Sequence, residues 1–348
     1  MMPEEWPIAA PAGDEGVPSR APGRGRLSTV RVDFFLDPSQ RLTEQERALM
    51  TVMLHQLVRD LASALRAALP GGWLAANDED DAALVDTLRT AGLLDEPGLM
   101  ALLLQRADEE RISVAARARG GRREARVLQG LVSNAHGAVA AAAMALILAR
   151  GRRRDRFGQC LIAFDDLPSG SAVALINSVA AALRAELAAN RGIPEADREL
   201  AAAVQRVMGE RDANRSVASL TAALIGQLDE AGTLTDELIL AAAHEGEVGF
   251  VTAVLARRRG IALDAALDVF LSGDAPTVMA LFRAAAVSRD LAAGLLAGIG
   301  DLLGIADAGG AISLFDEMAQ ADVDGARSWL TTDPSYRAAL DRLGQGCG

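Results

Sequence analysis

Residues 43–69, TEQERALMTVMLHQLVRDLASALRAAL, carry the reading on which the fold turns. Thr43 and Glu46 stand at capping-box spacing: the threonine hydroxyl accepts from the third backbone N–H, and the glutamate reaches back to the cap's own N–H. Leu49, Val52, Met53, Leu57, Leu61, Ala64, Leu65 and Ala68 then recur at three- and four-residue intervals, as on one apolar face of an α-helix. Pro70-Gly71-Gly72 ends the run, because proline lacks the donor a continuing helix needs and glycine holds it poorly. The stretch predicts a helix of about seven turns. Its stripe is also wide enough to offer a homodimer contact through 43–69.

Toward the C-terminus the same pattern shortens. Gly92, Gly120-Gly121, Gly151, Gly192, Gly209, Gly232, Gly246, Gly260 and Gly273 punctuate apolar-periodic stretches, and Thr235, Asp274 and Ser288 stand as N-caps before three of them. Alanine and leucine supply about a third of the chain, against twelve aromatics (eight Phe, three Trp, one Tyr), a balance that favours helices over strands. Helices this short bury too little apolar surface alone and must stack. The expected fold is therefore all-α, a HEAT-like α-solenoid of short antiparallel hairpins over residues 42–343. Several pairs suggest a duplication of units 83–190 and 191–300. His136 faces His244, Leu148-Ala149-Arg150 faces Leu255-Ala256-Arg257, and Phe164 faces Phe270, at separations of 106 to 108 residues.

Toward the N-terminus, Val30, Val32 and Phe34 alternate within 27–36. A lone strand has no partner in the sequence, so 27–41 reads as an extended segment against the helical body. Residues 1–26 hold five prolines among glycine, arginine and acids, with no periodicity, and read as a disordered tail.

Asp33-Phe34-Phe35-Leu36, followed by Leu42-Thr43-Glu44-Gln45-Glu46-Arg47-Ala48-Leu49-Met50, resembles the opening of an alphaproteobacterial family known as a domain of unknown function with HEAT-like helical repeats. His244-Glu245-Gly246-Glu247, Phe250, Ala256-Arg257, Leu281-Phe282-Arg283-Ala284-Ala285 and Trp329-Leu330-x-x-Asp333-Pro334-x-Tyr336-Arg337 are similar to its later part, so the likeness runs over about residues 30–343. The resemblance implies a HEAT-like helical fold and supplies no activity or catalytic residues.

The chain contains no lysine; all 35 basic residues are arginine. That inventory excludes a Walker A loop, a protein kinase and Schiff-base or pyridoxal-phosphate chemistry. His55, His136 and His244 with Cys160 and Cys347 show no metal-ligand spacing, and there is no Gly-x-Ser-x-Gly elbow. Gly298-x-Gly300-x-x-x-Gly304 follows an Ala/Leu helix rather than a strand, so it does not read as a dinucleotide loop. Cys160 reads as a core residue, and His136 and His244 as turn caps. No catalytic residue, metal or cofactor is expected, and the reading is non-enzymatic. With a net charge of −12, two distant cysteines and no signal-peptide pattern, a cytoplasmic protein that binds no membrane is expected.

Charge distribution points to a binding face. Residues 111–156 carry eleven Arg against Glu124 and Asp155, a formal +9, leaving −21 on the rest. Arg117, Arg119, Arg122, Arg123 and Arg126 form one cluster; Arg150, Arg152, Arg153, Arg154 and Arg156 form another. Guanidinium forks suit carboxylates and phosphates. The bland alternative is a solvated surface paired internally, with Asp78-Glu79-Asp80-Asp81 as an available mate. The leading reading is a binding or scaffold protein that holds a protein partner through these arginines. Nucleic-acid backbone or a phosphate ligand on the same arginines is the alternative, and a phosphorelay adaptor using His55 is a second.

Overall fold

The capping box at Thr43 forms as its spacing requires. Glu46 N donates to Thr43 Oγ1 at 3.2 Å, and Thr43 N donates to Glu46 Oε2 at 3.3 Å. These contacts come from a computed structural model that describes residues 43–70, 78–119, 127–271 and 274–333, with 336, 337, 339, 340 and 343 near the end. The expected tail 1–26, the extended segment 27–41, and Arg122, Arg123 and Arg126 lie outside the described residues. Among those described, every regular element is a helix, so the fold is all-α.

Helix α1 (Glu44–Ala68) launches a body completed by α2 (Asp78–Thr90), α3 (Pro97–Arg119), α6 (Ser169–Arg191) and α7 (Ile193–Glu210). The buried face of α1 runs through Met50, Met53, Leu54, Leu57, Val58, Leu61 and Leu65, about one residue round from the predicted stripe, with Val52 at its exposed edge. Helices α2, α3, α6 and α7 cover that face, so the stripe read as a homodimer contact packs within the chain. Helix α6 is apolar and long enough to cross a membrane by length and composition. Here Ala172, Leu175, Ile176, Val179, Leu183 and Leu187 place its apolar face in the first core.

The second body holds α4 (Val127–Val132), α5 (Gly137–Arg152), α8 (Val217–Glu230), α9 (Asp236–His244), α10 (Val248–Arg259), α11 (Leu263–Phe270), α12 (Ala275–Ala284), α13 (Arg289–Leu295), α14 (Ala308–Glu317) and α15 (Gln320–Thr331). Thr235, Asp274 and Ser288 cap α9, α12 and α13 by accepting from Leu238, Thr277 and Leu291 N–H groups. Gly92, Gly192, Gly232, Gly246 and Gly260 adopt positive φ where helices end, whereas Gly151 and Gly209 sit inside final turns. Gly298 belongs to a π-helical turn (Leu296–Gly300), where the space a Cβ would fill lies 3.2 Å from the His244 ring. The glycines at 298–304 thus serve packing and turn geometry.

The two cores are interleaved along the chain. Residues 50–107 and 162–207 build the first, and 112–146 and 217–330 the second. Units 83–190 and 191–300 therefore do not coincide with the cores. Helix α3 belongs to both, giving Leu99, Leu103 and Ala107 to one and Ile112 and Ala116 to the other. Arg111 stitches the seam: Nη1 donates to Leu302 O at 3.1 Å, while Glu46 and Asp108 lie 3.5 and 3.2 Å from its other nitrogens.

Candidate functional site

Where the cores meet, a cleft of about 260 Å³ opens between α3, the end of α5, the following loop and the α9–α10 turn. Helix periodicity selects what α3 contributes. Arg106, Glu110, Ser113 and Arg117 fall on one face and line the cleft. Arg119 is two residues on and turns away, its Nη1 donating to Asp301 Oδ1 at 2.6 Å.

The opposite wall is a tight hairpin-like loop. Leu161 N donates to Arg153 O at 2.8 Å, Asp155 N to Gln159 O at 3.0 Å, and Asp155 Oδ1 accepts from Phe157 and Gln159 N–H groups at 2.8 Å. This places Arg153, Arg154, Cys160 and Leu161 in the cleft and Arg156 and Phe157 at the tip. Phe157 is 75% exposed, with the Arg156 guanidinium 4.7 Å from its ring centre. Arg152 is exposed at the end of α5.

Both arginine clusters thus meet, through Arg117 from one and Arg150, Arg153 and Arg154 from the other. They meet around acids that nothing in the sequence pairs with them. Glu110 lies 3.0 Å from Arg154 and 3.7 Å from Arg117, Glu247 pairs with Arg150, and Glu109 accepts from Arg106 at 2.6 Å. Asp81, offered as a mate for the clusters, pairs instead with Arg66 at 3.1 Å.

The floor is buried and charged. Arg153 donates to Asp166 Oδ2 at 2.6 Å, to Ala149 O at 3.1 Å and to Arg215 O at 2.9 Å. Asp166 also accepts from Ala163 N and Val217 N, tying the loop to the start of α8. Burial alone would raise the Asp166 carboxyl, but the Arg153 hydrogen bond and the Arg106 and Arg153 charges hold it below the ordinary range. Arg153 is therefore a structural post rather than a surface contact. For Arg106, burial works against the charge, and Glu109 and Asp166 more than offset it. Cys160 is half-buried against the first core and lines the cleft. Burial pushes its thiol up to about 11, which leaves it protonated and a poor nucleophile near neutral pH.

The histidines stand elsewhere. His55 lies between α1 and α2, where burial and then Arg59 lower its pKa against an opposing pull from Asp86. His136 occupies the N-cap of α5 but makes no side-chain cap bond, and its N–H donates to Asn134 Oδ1 at 2.9 Å. No group of three His, Cys, Asp or Glu suited to a metal occurs among the described residues.

Fold and site together define an all-helical protein with an arginine-lined, internally paired cleft between two interleaved cores. The chain belongs to the family described as an uncharacterised protein conserved in bacteria (DUF2336), which matches residues 87–324. No curated protein and no solved structure matches it.

Proposed function

We propose that this is a non-enzymatic, cytoplasmic binding or scaffold protein whose stacked hairpins form a HEAT-like array and whose arginine-lined cleft holds a protein partner. The observation that carries the reading is the convergence of Arg117, Arg150 and Arg154 from separate segments on one cleft. Each keeps part of its side chain in solvent, at 41, 29 and 37% exposure. Partly paired arginines at a concave seam suit exchange of an internal carboxylate for one from outside.

Nucleic acid is less well supported by the same site. Glu109, Glu110 and Glu247 neutralise most of the local charge, and the chain carries −12 overall. The phosphorelay reading gains nothing from His55, which is half-buried between helices.

The test is capture from lysate of the source cells with the wild-type chain and with Arg117→Gln/Arg150→Gln/Arg154→Gln. A protein retained by the wild type and lost from the variant supports the reading. Equal retention rejects the cleft, and salt-sensitive nucleic acid in its place favours the alternative.

A further inference from the structure

Resting on the partner-binding reading above, we infer that the cleft receives one carboxylate from an acidic segment of the partner. Phe157 holds a neighbouring apolar side chain of that same segment.

Size restricts the ligand first. Small-molecule and cofactor pockets commonly span about 300–1,000 Å³, and this cleft, at about 260 Å³, admits a single side chain with its flanking backbone. Charge restricts it next. Asp166 matches Arg153 on the floor, leaving Arg106, Arg117, Arg150 and Arg154 against Glu109, Glu110 and Glu247. The shortfall is one negative charge, and it falls where Glu110 serves both Arg117 and Arg154. One carboxylate completes the count, whereas a phosphate dianion exceeds it.

Donors are available for that carboxylate. Among the described residues, Arg117 bonds through Nε and Nη2, Arg150 through Nη1, and Arg154 through Nη1 and Nη2, which leaves Arg117 Nη1, Arg150 Nη2 and Arg154 Nε without an acceptor there. The apolar half follows from the hairpin. Its tip is fixed by the Asp155 bonds, and Arg156 covers one face of Phe157, leaving the rest of a 75% exposed ring three residues from the arginine wall. A fixed aromatic beside a charged cleft binds with little ordering cost.

The test uses a bead-displayed library of short amidated peptides with randomised positions. The wild-type chain should enrich peptides carrying Asp or Glu next to Phe, Tyr, Trp or Leu. Binding of the enriched pool should fall about tenfold in Arg150→Gln/Arg154→Gln and severalfold in Phe157→Ala. Arg259→Gln, on the exposed end of α10, should leave it unchanged. Phe157→Ala alters only a solvent-facing ring, so it keeps the test decisive if the double variant unfolds. No enrichment of acidic peptides overturns the inference, as does binding indifferent to Phe157→Ala and the arginine pair. Preference for phosphoserine over glutamate in the same pool overturns the carboxylate assignment. If peptides fail while the lysate partner is still lost from the triple arginine variant, the carboxylate claim falls alone; if both fail, the partner-binding reading falls with it.

Discussion

Replacing Gly246 with alanine should destabilise the protein more than the same change at Gly232, and the difference measures the packing of the seam. Both glycines end a helix in the left-handed region, at φ +72° and +66°, with matching bonds: Glu247 N to Ala242 O, and Thr233 N to Leu228 O, each 2.9 Å. For alanine that conformation costs ~1–2 kcal/mol, partly offset by ~0.4–1 kcal/mol from a stiffer unfolded chain. Gly232→Ala, with open space around its Cβ, should therefore lose about 1 kcal/mol. At Gly246 the new Cβ would lie 2.7 Å from Ser113 Cα and 2.9 Å from Ala116 Cβ, on α3. That backbone cannot rotate aside, and overpacking adds ~1–3 kcal/mol. Urea unfolding of both variants supplies the comparison, and Ala116→Gly in the Gly246→Ala background should return part of the loss as a coupling energy. Equal destabilisation of the two variants would refute the close approach of the α9–α10 turn to α3, and with it the shape of the cleft.

Three further outcomes are expected. Ala286 stands at φ +54° in a turn of the same bonding type, with Val287 N donating to Phe282 O at 2.9 Å, so Ala286→Gly should stabilise the fold by about 0.5–1 kcal/mol in thermal unfolding. The depressed Asp166 carboxyl contributes stability that is fully present above its unfolded pKa and lost as pH falls through its lower folded pKa. Acid unfolding should accordingly show less stability lost as pH falls below about 4 in Asp166→Asn than in the wild type, from a lower starting point. Cys160, with its thiol raised to about 11, should react with iodoacetamide at pH 8 at least about tenfold more slowly than free cysteine, followed by mass spectrometry of its peptide.

Local signals in the chain are legible and long-range ones hardly at all. The Thr43–Glu46 box, the length of α1 and the caps at Thr235, Asp274 and Ser288 depend on residues a few positions apart, and all are present. The weave is different in kind: nothing in α3 announces that Ala107 and Ile112, five positions apart, serve separate cores. The same limit applies to the cleft. The charge distribution marks the two arginine clusters, and Arg117, Arg150 and Arg154 from them line one cleft. Their partners Glu110 and Glu247 lie 44 and 97 positions from Arg154 and Arg150, and Arg153 is set apart from its exposed neighbours by its bond to Asp166. Cys160, read from an apolar run as core, borders the cleft because the hairpin turns the chain back before Leu161.

The shared helix α3 bears on how the protein can be dissected. The family match begins at residue 87, inside α2, and so omits α1. A recombinant piece cut there would strip from the first core the helix carrying Met50, Met53, Leu57, Leu61 and Leu65. It would also remove Glu46, whose carboxylate faces Arg111 at the seam. Because the chain crosses between the cores three times, no single cut yields two separable halves. A piece that keeps the first core intact must include α1, and nicked forms should survive only if both segments of each core stay in the same tube.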